Sequence, residues 1–169
     1  MELILIRHAL SEDRQEFARK KQPDHLRPLT LKGRKKMQKI AMRLQDFVSE
    51  LDLIVSSPYT RARQTAEVLS QIFFDIEIKE SSDLVPQGHP LAFLKWLKAH
   101  ARNFKKVVVV GHEPQLSFLA SYLLADTNES FFDLKKSGII FLEIESFAHL
   151  QQGQAVLKGF VSPKLFLPT

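Results

Sequence analysis

The sequence predicts an α/β fold, a three-layer sandwich in which a mainly parallel central sheet is flanked by helices. Three observations carry that prediction. Short apolar runs at 1–6, 53–55 and 107–110 lack polar alternation, as strands buried on both faces require. Between them, apolar residues recur three and four apart, the period of a helix with one buried face. No linker, internal repeat or low-complexity tract divides the 169 residues, so one domain spanning 1–169 is expected.

The elements follow in order. The first strand, 1–6, stops abruptly at Arg7-His8. A polar stretch through His25 and Pro28 reads as a loop with a helical turn at 12–19. Thr30 has the chemistry of an N-cap, and after it Met37, Ile40, Ala41, Leu44, Phe47 and Val48 form one apolar helix stripe. The strand at 53–55 leads to Ser56-Ser57-Pro58, capping residues and then a proline at the expected first helical position. Ala62, Ala66, Val68, Leu69 and Ile72 continue that helix. A strand at 76–79, a helix opened by Pro90, the strand at 107–110 and a helix at 115–124 come next. Two late strands, 139–144 and 155–161, are expected to be antiparallel neighbours joined near Gly153.

Composition bounds the function. With 44% apolar and 25% charged residues the chain reads as an ordinary soluble globular protein, which excludes disorder, collagen and coiled coil. The net charge of +5 fits either an acidic partner or a phosphate pocket. Its densest basic cluster, Lys32, Arg34, Lys35, Lys36 and Lys39, falls on the expected 31–48 helix and reads as a solvated face. No stripe of interleaved aromatic and basic residues supports nucleic-acid binding. There is no cysteine, which removes disulfide scaffolds, thiolate zinc sites and cysteine-nucleophile phosphatases together. With no signal-like start and no apolar run of about 20 residues, no membrane association and a cytoplasmic location are expected.

In an α/β sheet, ligands bind beyond the carboxyl ends of the strands. Three strand ends here carry chemistry: Arg7-His8 after the first, Ser57-Pro58-Tyr59-Thr60-Arg61 after the second, and Gly111-His112 after the strand at 107–110. The planar fork of an arginine suits two oxygens of a phosphate. A neutral histidine, oriented through one ring nitrogen, can attack phosphorus with the other. A metal phosphatase would need carboxylates clustered with histidines at those ends; the expectation is therefore no metal and no cofactor.

Arg7-His8-Ala9, the run Ser57-Pro58-Tyr59-Thr60-Arg61-Ala62-Arg63-Gln64-Thr65, and Gly111-His112-Glu113-Pro114 resemble the three signature blocks of the histidine phosphatase superfamily, in the family's order. Arg27-Pro28-Leu29-Thr30 with Gly33, Lys136-Ser137-Gly138 and Ser162-Pro163-Lys164 are similar to its small SixA-like phosphohistidine phosphatase branch. The resemblance spans nearly the whole chain and implies a phosphoglycerate mutase-like fold. It implies that His8 is a transiently phosphorylated nucleophile in a phosphate pocket of Arg7, Arg61 and His112, with Arg27 as an additional ligand. It also implies a phosphorylated partner protein bearing phosphohistidine, or a small phosphate ester, as substrate. Two positions depart from the wider pattern. Ala9 stands where many members have glycine, and the family's proton-donor glutamate has only a loose counterpart at Asp83.

Taken singly, each residue also has a structural reading. His8 could be a hydrogen-bonded histidine at a strand end, and His112 could close a turn. Arg63 reads as a surface residue, Glu113 as a helix-start carboxylate, and Asp83 equally as a loop residue. His25, His89, His100 and His149 show no ligand spacing. The other functions weighed are a mutase-like phosphotransferase, for whose closing insertions the chain has little spare length, and an idle phosphoprotein-binding module, which would keep the arginines and lose His8.

Overall fold

The structure, a computed structural model, describes residues 1–127 and 129–167. Six strands form one sheet in the order β3-β2-β4-β1-β5-β6. They are β1 (Glu2–Arg7), β2 (Leu53–Ser56), β3 (Ile78–Glu80), β4 (Lys106–Gly111), β5 (Ile139–Glu143) and β6 (Val156–Val161). The first four are mutually parallel; β5 runs antiparallel to β1, and β6 antiparallel to β5. The helices are α1 (Arg14–Arg19), α2 (Leu31–Leu44), α3 (Thr60–Ile72), α4 (Pro90–His100), α5 (Gln115–Ala125) and α6 (Pro163–Phe166), with short 3-10 turns at Asp24–Leu26 and Ser82–Leu84.

Strand geometry explains the layering. Successive side chains point to opposite faces, so the apolar runs of β1, β2 and β4 fill two cores at once. Leu3, Leu5, Leu53, Val55, Val107 and Val109 meet Phe93, Leu97, Leu116 and Leu119 of α4 and α5. Ile4, Ile6, Ile54, Val108 and Val110 meet Met37, Ile40, Leu44, Ala62 and Leu69 of α2 and α3 on the other face. That is the expected three-layer α/β sandwich with a mainly parallel sheet.

Two local expectations are corrected. Pro58 does not open α3: Ser57 is still tied to the sheet, its N–H donating to the Val110 carbonyl at 3.0 Å, so the chain turns into the helix two residues later, with Tyr59 as the extended N-cap. Phe47 does not extend the stripe of α2. That helix stops at Leu44, leaving Phe47 62% exposed with its ring against Phe166, while Val48 returns to the core. Thr30 caps α2 as its chemistry predicts, accepting from the Gly33 N–H at 2.9 Å. Gly33 itself is required by proximity, since a Cβ there would stand 2.0 Å from the Leu10 carbonyl oxygen.

β6 forms one border of the sheet and exposes Val156, Leu157 and Phe160 along its length. Lys158 stands between them, paired with Glu143 at 3.4 Å, and its ladder with β5 slips register at Phe141/Leu142.

Candidate active site

The ladder itself brings the three strand ends together. β4 lies between β1 and β2, with Arg7 opposite Gly111 and Ser56 opposite Val110. One residue beyond Arg7 and Gly111, His8 and His112 must stand about one strand spacing apart, roughly 4.8 Å. Their ring centroids lie 5.2 Å apart. The His8 N–H donates to the Gly111 carbonyl at 3.0 Å, carrying the sheet bonding into the site.

His8 is 5% exposed and held in one tautomer. Its Nδ1 lies 2.8 Å from the Ala9 carbonyl oxygen, which can only accept, so Nδ1 carries the proton and Nε2 keeps its lone pair. Burial above all, against that carbonyl bond and with the charges of Arg61, Arg7 and Lys136, pulls His8 down to about 3. His112, 2% exposed, is lowered to about 2 by burial and then by His8, Arg61, Arg7 and Arg27. Its Nε2 lies 2.8 Å from the Ser57 hydroxyl. The other ring nitrogen of His112, Nδ1, is buried without a partner among the described residues.

The arginines show the same pattern of unpartnered nitrogens. Arg7 donates from Nη1 to the Leu134 carbonyl at 2.9 Å, and its buried Nε has no partner among the described residues. Arg61, 4% exposed, lies over the Tyr59 ring at 4.9 Å, and that ring meets His112 edge-on at 5.3 Å. Its Nη1 donates to the Asp24 carbonyl at 3.0 Å, its Nη2 lies 3.1 Å from the Asp24 carboxylate, and its buried Nε is unpartnered. Buried donors of this kind are costly unless something accepts from them. The unpartnered N–H groups of Arg7 and Arg61, with the unpartnered ring nitrogen of His112, are what a tetrahedral oxyanion would suit.

The run from Arg61 to Thr65 is also explained residue by residue. Arg61 turns to Asp24 and Ala62 faces the core. Arg63 points outward to Glu67 and Glu80, as its surface reading anticipates. The Gln64 side chain accepts from the Leu29 N–H at 2.8 Å, pinning the arm that carries Arg27. The Thr65 hydroxyl accepts from the Ala9 N–H at 3.0 Å and donates to the Arg61 carbonyl at 2.7 Å, joining the His8 turn to α3.

Arg27 reaches the group through a residue that the sequence reading passed over. Asp24 accepts from Arg27 Nε at 2.8 Å while its other oxygen meets Arg61. Burial alone would raise the Asp24 carboxyl, but the Arg27 hydrogen bond and the Arg61 charge outweigh it and hold it low. Arg27 Nη1 is further bound by the Ser11 hydroxyl at 2.7 Å and the Glu12 carbonyl at 2.8 Å. Asp83 lies apart from this cluster in hydrogen bonding. It sits on the 3-10 turn after β3, where its backbone carbonyl accepts from Gln115, and its carboxylate makes no hydrogen bond or ion pair among the described residues. Glu113 accepts from the Ser117 N–H near the start of α5, in keeping with its helix-start reading, and burial raises its carboxyl. Ser57, Tyr59 and Asp24 contribute to the site beyond the Arg7, His8, Arg61 and His112 that the sequence marks. Only the 3-10 turn at 24–26 brings Asp24 back onto α3, and no spacing rule marks that.

The two depressed histidines make a stability prediction. An unfolded histidine takes its proton near pH 6.5, whereas His8 and His112 do so only near 3 and 2. Between those values the unfolded chain binds more protons, so stability is full above about pH 6.5 and falls as pH drops. From pH 7 to 5.5 the pair is expected to cost about 2.5 kcal/mol in urea denaturation. The His8→Asn/His112→Asn protein should lose that much less over the same interval. An unchanged slope would contradict the buried neutral pair.

Comparison with known proteins bears on the family and the fold. The family model described as the histidine phosphatase superfamily (branch 1) matches residues 3–85. An uncharacterized protein of Picosynechococcus sp. is 35% identical over 170 residues, covering 100% of this chain and 96% of that one. Among solved structures, the protein histidine phosphatase SixA complexed with tungstate superposes with a TM-score of 0.80 at 22% identity, covering 96% of this chain and 97% of that one. A phosphoserine phosphatase mutant from Entamoeba histolytica, in complex with phosphoserine, gives 0.70 at 20% identity and covers 98% and 99%. These structures share the phosphoglycerate mutase-like fold, and no helix among the described residues is long and apolar enough to cross a membrane. On the family match, the strand-end blocks and the fold together, the chain belongs to the histidine phosphatase superfamily.

Proposed function

We propose that the protein is a phosphatase that hydrolyses phosphohistidine on a partner protein through a phospho-His8 intermediate. The observation that supports it most is the His8 ring, neutral and with Nε2 free, among the unpartnered nitrogens of Arg7, Arg61 and His112. Those groups hold the phosphoryl oxygens. The His8 Nε2 lone pair attacks phosphorus, and the bond from phosphorus to the substrate imidazole breaks, the departing ring taking a proton from water. Water then attacks phospho-His8, releasing orthophosphate and restoring the imidazole. The arginine positive charge neutralises the oxygens where other phosphatases use divalent ions.

The preference for a phosphorus–nitrogen bond rests on the acid. An alkoxide leaving group needs a proton in the transition state, a contribution of roughly 100- to 10,000-fold, and an imidazole needs it less. Asp83, the family-order counterpart of the donor, makes no side-chain bond into the cluster, and the short stretch between β3 and α4 leaves little chain for a lid. A site with strong phosphate clamps, a weak acid and little chain for a lid favours a labile phosphoramidate on a protein surface. A small phosphomonoester is the second reading.

The test compares hydrolysis of a phosphohistidine protein, a phosphoserine peptide and small phosphate esters, with and without EDTA. Phosphohistidine is expected to turn over fastest, and EDTA to leave the rate unchanged. Asp83→Asn should slow the esters more than phosphohistidine. A sugar phosphate turned over much faster than any phosphohistidine protein overturns the substrate assignment, and a chelation loss restored by zinc or magnesium overturns the metal-free mechanism.

A further inference from the structure

Lys136 occupies an unusual position for a lysine. The turn that carries it is bonded to the backbone of the strand end bearing the nucleophile: the Ser137 N–H is shared between the Arg7 carbonyl at 3.1 Å and the His8 carbonyl at 3.3 Å, and the Arg7 N–H donates to Gly138 at 3.2 Å. Ser137 takes a φ of +63°, a left-handed conformation uncommon for a residue with a side chain, which sets the direction of the turn. Of the two adjacent lysines, Lys135 is exposed and pairs with Asp133. Lys136 is half-buried and has no hydrogen bond or ion pair among the described residues.

Its surroundings are cationic. Burial first, then the charges of Arg7, Arg27 and Arg61 from three different segments, lower the Lys136 ammonium, and Asp13 alone among its named neighbours opposes them. Lys136 in turn contributes to the lowering of His8. The Asp13 carboxylate is already used: it caps α1, accepting from Gln15 and Glu16 at 2.8 and 3.0 Å. A half-buried ammonium on the turn bonded to the nucleophile's strand end, with no carboxylate of its own among the described residues, is stabilised by an anion.

We infer that Lys136 is a catalytic residue of this site, a fourth cation whose ammonium donates a hydrogen bond to the phosphoryl group as it passes to His8. The inference rests on the phosphatase reading above. The ammonium keeps its proton throughout: the bond that forms is from His8 Nε2 to phosphorus, the bond that breaks is from phosphorus to the leaving atom, and the leaving group is protonated from water. A fourth cation also selects substrate class. It favours a dianionic terminal phosphoryl group over a phosphodiester, which carries one charge fewer to meet the cluster.

The experiment uses p-nitrophenyl phosphate turnover and calorimetric binding of inorganic phosphate. Lys136→Met is expected to lower kcat by about 100-fold, at the lower end of the range for a lost transition-state donor, and to weaken phosphate binding. The same variant should narrow the preference for p-nitrophenyl phosphate over bis-p-nitrophenyl phosphate. Lys136→Arg should retain most of the rate and move the alkaline limb of its pH profile upward, because a guanidinium holds its proton to higher pH; a merely structural role would not move that limb. Wild-type kcat in Lys136→Met, beside an inactive His8→Ala, overturns the role of Lys136 and leaves the phosphatase reading standing. Wild-type turnover in His8→Ala overturns the reading beneath it. Should Lys136→Met fail to fold, an unmoved alkaline limb in Lys136→Arg overturns the inference.

Discussion

The His8→Ala protein is expected to lose turnover by about three orders of magnitude or more, the scale on which nucleophile removal acts in enzymes with covalent intermediates. The size follows from the arrangement. Among the site's imidazoles, His8 alone has its proton fixed by a carbonyl that can only accept, which leaves the opposite lone pair free; the His112 Nε2 meets the Ser57 hydroxyl instead. Alanine leaves the Ala9 carbonyl without its donor but keeps the backbone bond from residue 8 to Gly111, so the fold should persist. Rapid quenching of the wild type with a phosphorylated substrate should trap acid-labile phosphate on the protein. The variant should trap none. Unimpaired turnover in a folded His8→Ala protein would exclude a phosphorylated His8.

The second large effect is that of Arg61→Ala, expected to reduce kcat/KM by about 100-fold or more, as for other buried donors that meet developing charge. Two losses combine there. The unpartnered Nε is removed, and Asp24 keeps only Arg27, so one of its carboxylate oxygens loses its cationic partner. Arg61→Lys separates the contributions, since it restores charge but not the fork that reaches Asp24 and the anion at once. It should recover part of the rate. A change below about threefold in Arg61→Ala, measured as kcat/KM on the same substrate, would remove Arg61 from the phosphate clamp.

The parts of this molecule that were legible in the sequence are those where one physical rule acts alone. Unbroken apolar runs became β1, β2 and β4, and Thr30 and Pro90 opened α2 and α4, because burial on both faces and helix capping leave direct marks in residue order. The convergence of Arg7, His8, Arg61 and His112 was legible for a related reason: strand ends in a parallel sheet share one edge. What could not be read depends on long-range geometry. Pro58 has every local qualification to start a helix, yet the ladder bond from Ser57 to Val110 holds the chain extended beyond it. Phe47 fits the helical period, but the helix had already ended. Asp24 lies 37 residues from Arg61, and only the folded arm brings the two together.

The bordering strand β6 bears on how copies of this protein behave in concentrated solution. A border strand offers unpaired backbone groups to any other strand that can approach, and Val156, Leu157 and Phe160 would make that approach sticky. The ammonium of Lys158, set in the middle of them, would have to be desolvated by an intermolecular sheet, and the slipped ladder beside it spoils a flat template. A net charge of +5 adds mutual repulsion between copies. By this chemistry Lys158 is expected to disfavour edge-to-edge pairing, at a border on the far side of β1 from β4.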